Sequence, residues 1–225
     1  MRTIRLLTIT LISTNLMCTE ITKTPSPGGD TSRQETKEEF ITLFDGKTLS
    51  GWQGDTQGYT VEDGMLICKK KGGGNLFTDK EYSDFILRLE YKLEPGGNNG
   101  VGIRAKLEGT PGFTGMEIQV LDDSFPKYQN LKPVQFNGSI YGAVAAKPGH
   151  MKQVGEWNAM EIMAKGTHIK VTLNGTVIVD VNTKTFGPKE IHGFKLEGLQ
   201  RQKGYIAFCG HGHRVYFRNI RLKNL

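Results

Sequence analysis

From about residue 40 onward, apolar and polar positions alternate with a period of two. Within residues 84–94, Phe85, Leu87, Leu89, Tyr91 and Leu93 fall on one side of an extended chain, and Arg88, Glu90 and Lys92 on the other. Successive strand side chains point to opposite faces, so this run predicts a half-buried strand, closed by the turn signal Pro95-Gly96-Gly97. Residues 168–181 hold two alternating runs joined by Asn174-Gly175, the pair a type I′ turn favours because both central residues take positive φ. That segment predicts a hairpin. Further strands are expected at 40–44, 59–61, 65–68, 100–106, 116–121, 157–164, 204–209 and 215–222. No segment shows sustained helical periodicity. Many short strands separated by turn signals predict an all-β fold, a two-sheet antiparallel β-sandwich or jelly roll. The less periodic stretches 122–139 and 184–202 are expected to be loops walling a groove on one sheet.

Composition agrees with this picture and narrows it. The chain has 225 residues, enough for one domain with a sizeable core. Its 29 glycines are nearly twice the usual share of about 7% and favour turn-rich β architecture. The net charge of +6 comes from 29 basic against 23 acidic groups with no run of five or six like charges, so nucleic acid is not an expected partner. The basic excess belongs to residues 40–225.

The first 39 residues do not follow the alternation. Residues 1–17 read as a signal peptide, with Arg2 and Arg5 ahead of an apolar stretch too short to span a bilayer. Cys18 follows at once, in the position that bacterial lipoproteins lipidate. Residues 18–39, rich in Thr, Ser, Pro, Gly and charge, are expected to be a flexible tether to a domain at 40–225. The expected address is outside the cytoplasm: a periplasmic or outer-membrane lipoprotein that meets the membrane only through a lipid on Cys18. Cys68 and Cys209 lie in apolar strand runs and are expected as buried thiols, while spacing leaves a bridge between them open.

Three runs carry candidate chemistry. In Met116–Asp123 (MEIQVLDD), Glu117 and Gln119 share one strand face, and Ile118 and Val120 point into the core. Glu-x-Gln-x-x-Asp resembles the Glu-x-Asp-x-x-Glu signature of laminarinases and lichenases, in which two carboxylates act as nucleophile and acid. Here Gln119 replaces the central carboxylate, and Asp122 is one carbon shorter than the acid. In the run 96–104 (GGNNGVGIR), Arg104 is expected on the face opened by Gly102, where a planar cation suits carboxylates, enolates or vicinal hydroxyls; the structural alternative is a salt bridge, for instance to Glu117. In the run 209–218 (CGHGHRVYFR), His211 and His213 alternate with glycines, and His211 is the better proton-transfer candidate. Tyr141 and Trp52 are candidate aromatic faces for sugar rings, and Lys69-Lys70-Lys71 reads as a solvated loop.

LFDGKTLSGW, Gly-Gly-Asn-Asn-Gly-Val-x-x-Arg, MEIQVLDD, GSIYG, GEWN, the LNG hairpin and GHG-x-x-VYFRNIRL occur in this order, and together they resemble the 3-keto-disaccharide hydrolase family. The similarity covers roughly residues 40–225. The resemblance implies a concanavalin A-like jelly roll, often exported or lipid-anchored, acting on a carbohydrate whose C3 hydroxyl an upstream sugar 3-dehydrogenase has oxidised. The ketone acidifies the C2 hydrogen. A base can then remove it, the C1 substituent departs and water adds to the unsaturated sugar, giving net hydrolysis. Carried onto this chain, the resemblance implies His211 or Glu117 as base, with the enolate held by Arg104 or by a divalent metal ion bound to Glu117 and His211. Gln119, Asp122, Tyr141, Asn99 and Trp52 would contact substrate. Asn99 stands where the family usually has serine, and Phe208-Cys209 where it commonly has a polar pair. Two other functions fit the same fold: a non-catalytic carbohydrate-binding module, and a conventional glucanase-like glycoside hydrolase.

Overall fold

The structure is a computed structural model that describes residues 39–186 and 192–225. The expected signal segment, Cys18 and the tether up to residue 38 lie outside the described residues, as does part of the expected loop at 184–202. In chain order the strands are β1 (Ile41–Thr42), β2 (Trp52–Gly54), β3 (Tyr59–Glu62), β4 (Met65–Cys68), β5 (Asn75–Tyr82), β6 (Phe85–Leu93), β7 (Asn98–Ala105), β8 (Met116–Leu121), β9 (Asn158–Lys165), β10 (His168–Leu173), β11 (Thr176–Asn182), β12 (Gly204–Cys209) and β13 (Val215–Asn224). The one α-helical turn described, α1, spans Pro111–Thr114.

The strands form two antiparallel sheets, as the alternation predicts. One has eight strands in the order β11-β10-β9-β6-β13-β4-β3 with β1 on β13, and the other has five in the order β2-β5-β12-β7-β8. β6 buries Phe85, Leu87, Leu89, Tyr91 and Leu93 and turns Arg88 outward. The β10–β11 hairpin turns on Asn174 and Gly175, both at positive φ as expected. β2 and β5 were not legible in the alternation. β5 buries Leu76, Phe77 and Thr78 in succession and then exposes Asp79, Lys80 and Glu81, because its first half is covered on both faces and its second half on neither.

Side chains from the inner faces of both sheets fill the core. Phe208 of β12 meets Phe217 of β13 with ring centroids 4.2 Å apart, and Trp52 of β2 stacks on Phe208 at 5.3 Å. Burial of each such side chain contributes about 1.5–3 kcal/mol, so the two sheets are held face to face by apolar area. Polar function is left to the outer faces and the loops.

Candidate active site

β7 and β8 run antiparallel with Gly102 opposite Glu117 and Gly100 opposite Gln119. Residues 138–141 extend this sheet past the edge of β8. Gly138 donates its N–H to the Gln119 carbonyl (2.8 Å), Gln119 donates to the Ser139 carbonyl (3.0 Å), Tyr141 donates to the Glu117 carbonyl (2.8 Å), and Ile140 bridges Ile118. In this register Tyr141 stands on the same face as Glu117, directly across from it. One face therefore carries Gly102, Glu117 and Tyr141 in one row and Gly100, Gln119 and Ser139 in the next.

The glycines have a steric reason. A Cβ at Gly100 would collide with Glu117 Oε1, and one at Gly112 in α1 would lie 2.7 Å from Glu117 Oε2. The glutamate thus runs over a floor without side chains and under the turn of α1, which leaves it 5% exposed. His211 reaches it from the β12–β13 connection, with Nε2 3.8 Å from Glu117 Oε1 and its own side chain 45% exposed. Glu117 Oε1 and Gln119 Oε1 are buried without a hydrogen-bond partner among the described residues. Buried acceptors left unpaired are costly, and such groups on an open face are suited to donors brought by a ligand.

Neighbouring groups hold this arrangement in place. Gln119 Nε2 donates to Asn98 Oδ1 at 3.0 Å. Tyr141 Oη accepts from Gln135 Nε2 at 3.0 Å, and its ring packs edge-on to Phe194 at 5.3 Å. The Tyr141 phenol proton therefore remains available to a ligand oxygen. Cys209 lies beside Glu117; burial, reinforced by the Glu117 charge, pushes its thiol well above the usual range. Cys68 and Cys209 are both free and buried, as expected. The histidine loop is docked on the glycine run after the lysines: Gly210 donates to the Gly74 carbonyl (3.0 Å) and Lys71 donates to the Gly212 carbonyl (3.2 Å). Lys69, Lys70 and Lys71 are exposed, as a solvated loop requires, and the Lys71 backbone braces the connection that carries His211. Burial, with Lys127 nearby, lowers the His213 imidazole from its ordinary value, and its Nδ1 is buried without a hydrogen-bond partner among the described residues.

Four expected contact residues lie elsewhere. Arg104 sits in a β-bulge: Ala105 faces Tyr205 and Gly102 faces Ala207, so Ile103 and Arg104 oppose the single residue Ile206. With φ of 52°, the bulge turns Arg104 off the outer face. Its guanidinium, 1% exposed, donates to the carbonyls of Ser83, Gly166 and Arg201 and to Asp84 Oδ1. The salt bridge is real, but its acid is Asp84 and not Glu117. Asn99 points to the inner face with Val101, beside Tyr59 and Cys68, because the glycines at 100 and 102 take the outer one. Trp52 is a core residue whose Nε1 donates to the Leu43 carbonyl at 2.9 Å. Asp122 is a turn clamp, accepting from the Gly96 N–H (2.8 Å), the Ser124 N–H (3.1 Å) and the Ser124 hydroxyl (2.5 Å).

The structure brings together Glu117, His211, Gln119 and Tyr141. Sequence reasoning missed Asn98, Cys209 and the edge-strand role of 138–141; Cys209 alone had a signal, its alternation with Phe208 on β12. As for a metal, Glu117 and His211 supply two donors, and among the described residues no three His, Cys, Asp or Glu side chains converge on one point. Two protein donors fall short of a resident cation site of the usual kind.

A sandwich of two antiparallel sheets, here with an acid and an imidazole on the outer face of the smaller one, belongs to the jelly-roll class of β proteins. A Bacillus subtilis protein with a galectin-like fold shares the architecture at a TM-score of 0.51 and 12% identity, covering 78% of this chain and 90% of that one. Within that class, the chain belongs to the 3-keto-alpha-glucoside-1,2-lyase-like domain family, whose signature spans residues 39–223. It is 29% identical to a 3-keto-disaccharide hydrolase of Bacteroides thetaiotaomicron, over 83% of this chain and 78% of the relative. A crystal structure from Parabacteroides distasonis, described as a "putative glycosyl hydrolase", matches with a TM-score of 0.73 and 31% identity over 83% of this chain and all of that one. A second structure from that organism matches at 0.71 and 25%, over 86% and 97% of the two chains.

Proposed function

We propose that this protein hydrolyses 3-keto-glycosides or 3-keto-disaccharides by removing the C2 proton and eliminating the C1 substituent. Family membership and the named relative support hydrolysis of such sugars. The observation that carries the mechanism is Glu117 Oε1: buried, without a hydrogen-bond partner among the described residues, over a glycine floor and 3.8 Å from His211 Nε2. In this reading the Glu117 carboxylate accepts the C2 proton, and the electron pair moves onto the C3 oxygen as an enolate. The Tyr141 phenol donates a hydrogen bond to that oxygen. The C1–O bond then breaks as the enolate re-forms the ketone, and protonated His211 gives its proton to the departing oxygen. Water adds across the resulting C1–C2 double bond, its hydroxyl to C1 and its proton to C2. Gln119 orients a neighbouring hydroxyl through its free Oε1. No second carboxylate is required across the anomeric carbon, which accords with Gln119 in the strand and Asp122 locked in a turn.

The substrate must be supplied by an oxidation at C3, the work of a sugar 3-dehydrogenase. The reading also places the domain outside the cytoplasm on a lipid-modified Cys18, a proposal supported by Arg2, Arg5, the apolar stretch and Cys18 in the sequence. The purified domain should release the aglycone from a 3-keto-glucoside and leave the unoxidised glucoside intact, with and without a chelator. In heavy water, residual substrate should gain deuterium at C2. Cleavage of the parent glucoside alone would favour a conventional glycosidase, and saturable binding without turnover a binding module; either would sink the proposal.

A further inference from the structure

The edge segment 138–141 brings Tyr141 across from Glu117, and its register is fixed at the residue before it. Asn137 is 7% exposed. Its backbone N–H donates to both oxygens of the Asp123 carboxylate, at 2.9 and 3.2 Å. Its side-chain Oδ1 accepts from the Leu121 N–H at 3.1 Å, and its amide exchanges hydrogen bonds with Tyr91 Oη at 3.0 and 2.9 Å. Tyr91 belongs to β6, so the clamp ties the edge segment to both sheets. On its open side Asp123 lines a cavity of about 430 Å³ together with Pro133, Phe136 and Pro148.

We infer that Asp123 is a positioning residue for the active site, its carboxylate fixing through Asn137 the register in which Tyr141 faces Glu117. The inference rests on the reading of Glu117 and Tyr141 given above. A charged acceptor makes a hydrogen bond roughly twice as strong as a neutral one, so the ionised form holds the Asn137 N–H more firmly.

That charge is held at a cost. Burial pushes the Asp123 carboxyl up to about 6, the Asn137 N–H opposes the shift and the Asp122 charge adds to it. The titratable groups facing it are Asp122 on its own segment and, from β6, Tyr91, whose hydroxyl burial raises. With its folded value above the ordinary 3.8, Asp123 binds its proton more tightly in the native state than in the unfolded chain. Its contribution to stability is therefore full at low pH and is lost as pH rises through about 6. Asp123→Asn should accordingly raise Tm at about pH 7.5, with the gain vanishing by about pH 4, while the edge segment loosens. A residue serving stability alone would lower Tm when replaced.

The deciding experiment is amide hydrogen exchange at Gly138 and Tyr141, corrected for intrinsic rates, in wild type and D123N at about pH 7.5 and pH 5. Protection in the wild type should fall several-fold on acidification, and D123N should show the acid-side value at both pH values. Equal protection in the two proteins at the higher pH, or a pH-invariant wild type, overturns the inference. Turnover of a 3-keto-glucoside adds a second reading: kcat of D123N should drop up to about tenfold with KM changed less than about twofold. An inactive wild type would count against the proposed function, and the exchange result would still decide the role of Asp123. Should D123N not fold, the wild-type pH comparison decides alone.

Discussion

On the outer face of the eight-stranded sheet the carboxylates of Glu161, Glu90 and Glu94 each have a partner. Arg88 meets Glu161 at 2.7 Å, Arg218 meets Glu90 at 2.6 Å, and Tyr216 donates to Glu94 at 2.9 Å. The cations are also stacked: Arg88 lies 4.4 Å from the centroid of Phe40, and Arg218 lies 4.0 Å from that of Trp157. On the outer face of the five-stranded sheet, Glu117 Oε1 and Gln119 Oε1 have no hydrogen-bond partner among the described residues, and Glu117 lies against glycines. Both faces carry polar strand residues, Arg88 and Glu90 on β6 and Glu117 and Gln119 on β8. What separates them is satisfaction: one face has closed its polar groups on one another, and the other keeps them open for a ligand, at a cost in stability that the core bears.

Substitutions can break this contrast. The largest effect is expected at the open face. Glu117→Gln keeps the shape of the side chain, so kcat on a 3-keto-glucoside should fall by about 10²–10⁴ with Tm unchanged or raised. Retention of wild-type turnover would remove Glu117 as the base. Arg104→Met tests whether a buried charge of the same sheet can be purely structural. It should lower unfolding stability by about 3–5 kcal/mol, measured by denaturant titration, because Asp84 and three carbonyls lose their donor. The protein that remains folded should keep its kcat; selective loss of kcat at full stability would return Arg104 to the site. On the closed face, Arg88→Ala should change stability by less than about 1 kcal/mol and leave turnover alone, since exposed ion pairs are screened by water. A large loss of activity there would mean that the paired face also takes substrate.

The contrast also shows which parts of the molecule were legible in the chain. Strand positions followed from period-two alternation wherever one face was buried and the other wetter, as in β6 and β10, and in β8 from polarity alone, since all six of its residues are buried. β5 escaped because it is buried on both faces at one end and exposed at the other. Glu117, Gln119 and His211 were legible as polar groups spaced to share a face or set among glycines. Arg104 was misplaced because a bulge, which inserts one residue and rotates the next, leaves no mark in a simple alternation. Asn99 went astray by one position on the same strand, Trp52 because an aromatic reads alike as core or platform, and Asp122 because a clamp and an acid are the same residue type.

The all-β class, most of the strands and their inward faces could be read from the chain alone, since these depend on local alternation and turn chemistry. It also carried the ordered motifs that mark the family. Which polar residues meet was set by the fold in three dimensions. Tyr141 comes to face Glu117 through backbone pairing across an edge, His211 through a loop docked on Gly73 and Gly74, and Asp123 through the backbone of Asn137. Those encounters depend on register between distant segments, which side-chain periodicity constrains to a face but not to a partner.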